Sequence, residues 1–430
     1  MRVVILSDLE SIGGAAIAAC RLATGLCSAG LDVTFLVSLP DRQGHAWRTL
    51  ELPPAYTERL PFRALRQLLP EAVRAGAYAR LAPAWLERRL RTLRPNVISV
   101  HNLHTAAPGW GHTMIEVCAR HAPTVWTLHD MWSFTAGCIY DYGCRKFVSG
   151  CDSPCPTPNS LMPLRPGRMM AWWAGRSKAL SRCPRAVAVT PSAWLARQAQ
   201  AGMWKNHRIE VIPNGLPLDV YQPLDRVAAR RALGVRSSGL VILAAATNIA
   251  DPRKGSAILV EALQQLTTLQ PTLLTFGAGA ASAGSLGIPH VDLGPIDFER
   301  AKTLAYNAAD LYVHSALADN LPNVALEALA CGTPIVSFAV GGLPEIVRPG
   351  RTGWLARAVT SEALAEAMQT AISDLQAGGA TLRATCRGVA VQEYGLRLQA
   401  ARYLSLFESL TAPRVPALVN RRPDLLCATT

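Results

Sequence analysis

Asp319 and Glu327 stand eight positions apart around the run Asn320-Leu321-Pro322-Asn323. That run turns at Asn320 to Pro322 and launches a helix, with Asn323 or Asn320 as its natural cap. One carboxylate then lies in the loop and the other about one turn into the helix. Open amides in a helix's first turn accept phosphate, and a carboxylate beside them suits the hydroxyls of a sugar. The plainer alternative is a pair of helix-start acids favoured by the dipole. Arg253-Lys254-Gly255 likewise follows a strand and precedes a helix, where two cations can reach a diphosphate; the alternative is a solvated helix start. Only five of the 43 basic residues are lysines, which singles out Lys254.

Ser11-Ile12-Gly13-Gly14-Ala15-Ala16 is a glycine turn feeding a helix, and it lets backbone amides approach a ligand closely. The spacing is not G-x-G-x-x-G and no acid ends the next strand at Leu36-Val37, so a dinucleotide fingerprint fails. His129 ends the run Thr124–Leu128, and His101 and His104 follow Val100. All three lie where cleft residues sit, with structural packing as the alternative for each. Cys138, Cys144, Cys151 and Cys155 are interleaved with Gly137, Gly143 and Gly150 and precede Pro156. Four such thiolates can close a tetrahedral zinc site, although a C-x-x-C pair is missing. Disulfides and uncoordinated thiols remain open for them. The other seven cysteines are scattered and read as small core residues.

These residues need a scaffold that gathers strand ends. Val3–Leu6, Val33–Val37, Val97–Val100, Thr124–Leu128 and Ala186–Thr190 are short apolar runs separated by helix-length segments, the pattern of a parallel sheet with crossover helices. The pattern restarts after the turn Pro213-Asn214-Gly215, with strands at Leu240–Ala245, Thr272–Phe276, Leu311–His314 and Pro334–Phe338 and helices at 256–266, 298–308 and 323–331. The expected architecture is α/β: a Rossmann-like domain over 1–213 with a Cys-rich insert at 137–156, and a second over 214–392. A deep cleft lies between them. A helix over 393–412 packs back on the first domain, and 413–430 forms a loose tail.

The chain has 430 residues, half of them hydrophobic, 17% charged, and a net charge of +13. That composition excludes a disordered chain. No apolar run reaches the ~20 residues that span a bilayer, and Met1-Arg2 leads directly into a strand, so a cytoplasmic location is expected. Residues 1–213 carry 25 Lys and Arg against 13 Asp and Glu, whereas residues 214–430 carry 18 against 17. The excess therefore belongs to the first half. Residues 161–185 hold six basic residues, no acid, and Trp172-Trp173, which fits a membrane-surface helix, a nucleic-acid face, or a core pair with solvated arginines.

Asp-x7-Glu, the following Ala-Cys-Gly-Thr-Pro-Ile-Val, and Gly341-Gly342-Leu343-Pro344-Glu345-Ile346-Val347 with Gly353 closely resemble the C-terminal signature of the GT-B-fold, retaining glycosyltransferase family 4. Val211-Ile212-Pro213-Asn214-Gly215 and Thr190-Pro191-Ser192 are also similar to that family, and the resemblance covers about residues 1–410. The family motif is Glu-x7-Glu; here the first acid is aspartate. The resemblance assigns Asp319 to hydroxyls of the donor sugar and Glu327 to the nucleotide ribose. Lys254 matches the lysine of an Arg/Lys pair that neutralises the leaving diphosphate without a metal cofactor. The usual arginine position falls at Thr247, Asn248 and Ile249, and Arg253 stands in for it. Gly13 and Gly14 would face the donor phosphate. Asn248, Gly277, Asn320, Leu321, Pro322 and Asn323 would line the donor site, His129 would contact the donor sugar, and His101 and His104 the acceptor. The cysteine cluster after Leu-His-Asp resembles the colanic-acid-type branch.

The resemblance thus implies retaining transfer from a nucleotide-diphosphate sugar to a saccharide or lipid-linked glycan in cell-surface polysaccharide biosynthesis. A nonhydrolysing sugar-nucleotide epimerase and a basic nucleic-acid-binding protein are the rival classes; no nucleic-acid partner is expected. The arginine-rich half, including Arg63, Arg66, Arg88, Arg89 and Arg91, is expected to rest peripherally on an anionic membrane, on the cytoplasmic face of the inner membrane.

Overall fold

A computed structural model describes residues 1–41, 44–52, 71–104, 110–152, 155, 168–235, 239–279 and 287–412. Seven strands form the first sheet: β1 (Arg2–Leu9), β2 (Asp32–Leu39), β3 (Arg48–Glu51), β4 (Val97–Val100), β5 (Thr124–Thr127), β6 (Val187–Thr190) and β7 (Ile209–Val211). They run in the order β3-β2-β1-β4-β5-β6-β7, all parallel. Helices α1 (Gly14–Ser28), α2 (Glu71–Leu93), α3 (Thr113–His121), α4 (Met169–Ser181) and α5 (Ala193–Ala201) lie between the strands in sequence.

The second sheet has β8 (Val241–Asn248), β9 (Thr272–Ala278), β10 (His290–Asp292), β11 (Leu311–His314), β12 (Ile335–Phe338) and β13 (Gly353–Ala356), in the parallel order β10-β9-β8-β11-β12-β13. Its helices are α6 (Arg226–Ala232), α7 (Ser256–Gln264), α8 (Glu299–Ala308), α9 (Asn323–Ala330), α10 (Leu343–Ile346) and α11 (Ser361–Glu393), the last broken at Gly378. Helix α12 (Leu396–Thr411) ends the described chain.

Both sheets are buried on both faces, which is why their central strands read as unbroken apolar runs. Alternate side chains of a strand point to opposite faces. In β1, Val4 and Leu6 join a core with Leu86, Leu90 and Trp126, while Val3 and Ile5 pack with Leu22, Leu26 and Phe407. In β8, Leu243 and Ala245 meet Tyr306, Tyr312 and Leu329, while Ile242 and Ala244 meet Leu364 and Met368.

The strand order reverses between β1 and β4 in the first sheet and between β8 and β11 in the second. Ligands of such sheets sit beyond the strand carboxyl ends at that reversal. Gly13-Gly14, His101 and His129 follow β1, β4 and β5; Lys254 and Asp319 follow β8 and β11. The sequence candidates from both halves therefore converge on one cleft.

Two chain segments link the halves. The first is the Pro213–Leu216 stretch, and the second is the Tyr394–Leu396 turn that returns the chain to the first sheet. They run side by side in a parallel bridge, with Leu216 N donating to Tyr394 O at 2.8 Å and Leu396 N to Leu216 O at 2.9 Å. Helix α12 then lays Ala400, Tyr403, Leu406 and Phe407 on the Val3/Ile5 face, and Tyr403 Oη and Thr127 Oγ1 are 2.8 Å apart.

The basic segment behaves differently from a surface helix. Trp173 Nε1 donates to Phe147 O at 3.0 Å, and Arg176 is buried with its guanidinium 3.8 Å from the Trp132 ring centroid. Trp173 and Arg176 thus follow the core alternative for this segment, while Arg168, Lys178, Arg182 and Arg185 are exposed and residues 161–167 lie outside the described residues. Among the described residues no helix is long and apolar enough to cross a membrane.

Phe407 is fully buried, so Phe407→Ala should destabilise the protein by about 3–5 kcal/mol. Urea unfolding followed by tryptophan fluorescence measures this, and an unchanged midpoint would show that α12 contributes little to the first half.

Candidate functional site

The loop from β11 to α9 carries Asp319, and its carboxylate is buried. Lys254 Nζ lies 2.7 Å from Oδ2, His314 Nε2 3.3 Å and Arg253 Nη1 3.6 Å. From the other half, Tyr140 Oη donates to Oδ1 at 3.3 Å. Burial alone would raise this carboxyl, but Lys254, His314 and Arg253 outweigh it and hold the carboxyl well below its ordinary range. Asp319 is therefore ionised at neutral pH. Arg253 also pairs with Asp251 at 3.3 Å, so two cations are matched by two carboxylates before any ligand arrives.

Backbone packing fixes this arrangement. Gly255, at φ 66°, lies so close to the Asp319 loop that a Cβ would fall 2.1 Å from Ser315 O. Gly341, at φ 57°, lies beneath Asp319 itself, where a Cβ would fall 1.7 Å from the Asp319 carbonyl oxygen. Only glycine accepts that conformation and that approach together. The Gly341-Gly342 pair seen in the sequence is thus the floor of the Asp319 loop.

Glu327 has a different setting from Asp319 despite their short separation in sequence. It is 3% exposed, and Arg21 of α1 reaches across the cleft to Oε1 at 2.7 Å. Tyr306 Oη donates to Oε2 at 2.8 Å. Arg21 also meets Glu299 at 2.6 Å and Tyr221 Oη at 3.2 Å. Burial works against the Arg21 charge, but Glu327, Tyr221 and Glu299 more than restore it. Both oxygens of the expected ribose ligand are thus already bonded.

Further contacts tie the halves at the same level. Asn320 Nδ2 donates to His129 O at 3.0 Å, and Ser192 Oγ donates to Asn320 Oδ1. Glu345 accepts from Ala193 N and Trp194 N at 2.8 and 2.7 Å, a carboxylate of one half at the helix N-terminus of the other. The cap expected for α9 is corrected: Pro322 holds the cap position and no side chain caps the helix. Asn323 instead donates to Gly14 O at 2.9 Å and accepts from Asn214 Nδ2 at 3.1 Å. This puts the Gly13-Gly14 loop against the start of α9. Leu321 is buried beside it. Asn248 ends β8, its Oδ1 accepting from Ala250 N at 3.0 Å, and Gly277 N donates to Gly294 O at 2.8 Å.

His129 and the other two histidines share one pocket with Asp130 and Trp132. His101 Nδ1 and His129 Nε2 are 3.0 Å apart, and His101 Nε2 is 3.1 Å from Ser99 Oγ. With both ring nitrogens engaged and 3% exposure, His101 stands behind His129 rather than at an accessible surface. His104 Nε2 is 3.2 Å from Asp130 and its ring stacks on Trp132 at 4.6 Å. Burial lowers the His129 imidazole to about 4, so it is neutral at physiological pH.

Tyr221, Tyr306 and Glu299 were not among the sequence candidates for this site, and neither were the four residues that follow. His314 ends β11, and His129 stands two residues beyond β5, so strand-end position was a usable signal for it. Tyr140 lies inside the cysteine-rich insert, and Ser192 caps α5 through Leu195 N at 3.1 Å. Arg21 is the one charged residue of α1, a helix rich in alanine and leucine. Its partner lies 306 positions away, and nothing local announces it.

Comparison with known proteins agrees with this picture. Residues 12–220 match the family model described as Glycosyltransferase Family 4, and residues 240–374 match Glycosyl transferases group 1. A D-inositol 3-phosphate glycosyltransferase from Mycobacterium sp. (strain KMS) is 35% identical over 190 residues, 41% of this chain and 41% of that protein. One from Mycobacterium leprae (strain TN) is 37% identical over 158 residues, 34% of this chain and 36% of that protein. The chain thus spans about two fifths of the length of the curated relatives it matches. Among solved structures, sucrose-phosphate synthase from Thermosynechococcus elongatus superposes with a TM-score of 0.69 at 20% identity, covering 95% of this chain and 99% of that one. Anabaena HepE in complex with UDP and glucose gives 0.65 at 18%, covering 95% and 100%. The fold is the GT-B arrangement of two Rossmann-like domains.

The histidine pocket makes a pH prediction. The folded His129 imidazole takes a proton only near pH 4, while the unfolded one does so near 6.5. Unfolding therefore takes up a proton between these values, and stability rises with pH across that window. His129→Gln should flatten the slope there, recovering up to ~3 kcal/mol at the acid end. Denaturant titrations of both proteins from pH 4 to 7 measure it; parallel curves would place His129 in a solvated setting.

Proposed function

We propose that this chain, built of a family 4 glycosyltransferase domain followed by a group 1 glycosyltransferase domain, transfers a sugar from a nucleotide-diphosphate sugar to a hydroxyl of a saccharide or lipid-linked glycan, with retention of configuration. The observation that carries the reading is the Lys254–Asp319 pair at the strand reversal of the second half, facing His129 and the Gly13-Gly14 loop across the cleft. Cell-surface polysaccharide biosynthesis is the setting, by likeness of the cysteine-rich insert to the colanic-acid-type branch.

In this reading the diphosphate lies against Lys254, Arg253 and the first amides of α9. As the bond from sugar C1 to the phosphate oxygen breaks, negative charge grows on the leaving group, and fixed cations that strengthen on that charge favour the transition state over the bound donor. The acceptor hydroxyl bonds to C1 from the same face and passes its proton to the departing phosphate oxygen. No metal takes part in the transfer. Asp319, anchored by its cations, meets the donor-sugar hydroxyls, and neutral His129 meets the sugar from the opposite wall. For Glu327 to hold the ribose, Arg21 must release Oε1, so donor entry is coupled to parting of the two halves. Their closure about residues 213–225 excludes water and limits donor hydrolysis.

Mass spectrometry of products from a panel of nucleotide sugars, UDP-glucose included, with a lipid-linked saccharide acceptor tests the reading, and NMR of the product gives its anomeric configuration. The activity should be unchanged by added Mg2+ or Mn2+, and Lys254→Ala should lower kcat by about 10²–10³-fold. An epimer accumulating without acceptor would replace transfer by epimerisation, and an inverted anomer would remove the retaining mechanism.

We further propose that the first half rests on an anionic membrane through α2, where Arg88, Arg89 and Arg91 are exposed. Arg63 and Arg66 lie outside the described residues. Reversing the three described charges to glutamate should abolish co-sedimentation with phosphatidylglycerol vesicles; unchanged partition would refute this placement.

A further inference from the structure

We propose that Cys138, Cys144, Cys151 and Cys155 hold one Zn2+ ion, and that this ion fixes the segment that carries Tyr140 across the cleft to Asp319. All four cysteines line a single cavity, together with Asp141, Lys146 and Phe147. The segment around them buries Phe134, Ala136 and Phe147 in the core but has little regular structure: one-turn 3-10 helices at Trp132–Phe134 and Lys146–Val148, and a chain that doubles back through left-handed residues at Tyr142 (φ 46°) and Gly143 (φ 85°). Such a loop-rich knuckle converging four soft sulfur donors has the ligand number and type of a closed structural zinc site.

The surroundings suit the charge of that site. Four thiolates around Zn2+ carry two net negative charges. Arg176 is buried against the knuckle, and Thr135 O, three residues before Cys138, accepts from its Nη1 together with Trp132 O. Its bonds are to carbonyls and among the described residues it has no carboxylate ion pair; Cys151, Asp130 and Cys138 are the groups whose charge favours it, so a cysteinate cluster adds to the counter-charge a buried guanidinium needs. Lys146 lies at the cavity rim and pairs with Asp152 at 2.6 Å. The thiols line the cavity without closing together. Among the described residues the group of ligand atoms lying within 4.8 Å of one another is Glu10, Asp41 and His45. There, Glu10 already accepts from Trp47 Nε1 at 3.2 Å and from Thr49 Oγ1 at 2.5 Å. Zinc binding would therefore contract the knuckle.

Tyr140, two residues after Cys138, shows what a fixed knuckle does. Its hydroxyl reaches Asp319, its ring lies 5.4 Å from the Arg253 guanidinium carbon, and it stacks on Trp194 at 6.3 Å. Tyr140 is thus a positioning residue for the carboxylate and for one cation of the opposite half.

The test is metal analysis of the full chain, expressed with zinc, purified under reducing conditions without a metal-affinity step, and passed through gel filtration. About one Zn2+ per chain is expected, released by a mercurial as about four thiols are titrated, and the cobalt-exchanged protein should show the intense visible bands of tetrahedral cobalt thiolate. Cys138→Ser with Cys151→Ser should lose the metal, whereas Cys118→Ala and Tyr140→Phe should keep it. Because serine variants that fail to fold would also lose metal, the wild-type stoichiometry and cobalt spectrum carry the test independently. A chain without zinc, a lowered mass showing disulfides among these cysteines, or zinc that survives the double variant overturns the proposal. Metal content reads this site whatever the chain transfers, so failure here is distinct from failure of the transfer reading.

Discussion

The buried carboxylate of Asp319 is the constraint to which the rest of the site answers. An ion at this depth is stable only when oppositely charged groups and donors surround it closely. Lys254, Arg253 and His314 do so from one half, and Tyr140 from the other. Each of those groups is held in turn by something further out: Lys254 by the glycine that lets its loop lie on Ser315, Arg253 by Asp251, His314 by Tyr312 Oη at 2.8 Å. The carboxylate thus fixes the position of the cations that would face a diphosphate. It also neutralises them, so the attraction for an anion comes from geometry and exchange of partners rather than from surplus positive charge.

Glu327 works by the same physics toward another end. Its charge is balanced by an arginine from the opposite half, so the pair joins the two halves as well as satisfying the carboxylate. The two acids look equivalent in sequence, a loop acid and a helix acid near one another. Both are buried, and their partners separate them: one organises cations of its own half, while the other binds an arginine of the opposite half.

How legible all this was depends on how local its causes were. The central strands β1, β4, β5, β8, β11 and β12 are apolar because both of their faces are covered, and that pattern is written directly in the residues. The edge strands β3, β7, β10 and β13, with sequences such as Arg48-Thr49-Leu50-Glu51 and His290-Val291-Asp292, carry no such pattern and owe their conformation to the neighbour they pair with. The Asp319 loop, Lys254 and His129 could be read because strand-end position is a local property. Arg21 and Tyr140 could not, because their partners lie across the cleft. The charge excess divides the same way. Arg21 and Arg176 are spent inside the protein, whereas Arg88, Arg89 and Arg91 remain on the surface, a distinction that counting residues does not make.

The side-by-side crossing of the chain at Leu216 and Gly395 has a mechanical consequence. A single linker would let one half swivel freely and meet the other in many orientations. Two backbones bonded to each other resist torsion and yield mainly to bending about one axis, as a paired hinge holds a door in its frame. If the halves part and close as proposed above, this pairing returns the Asp319 loop to the same place beside His129 and Tyr140. Alignment of groups separated by some two hundred residues becomes a matter of angle alone, set by one degree of freedom.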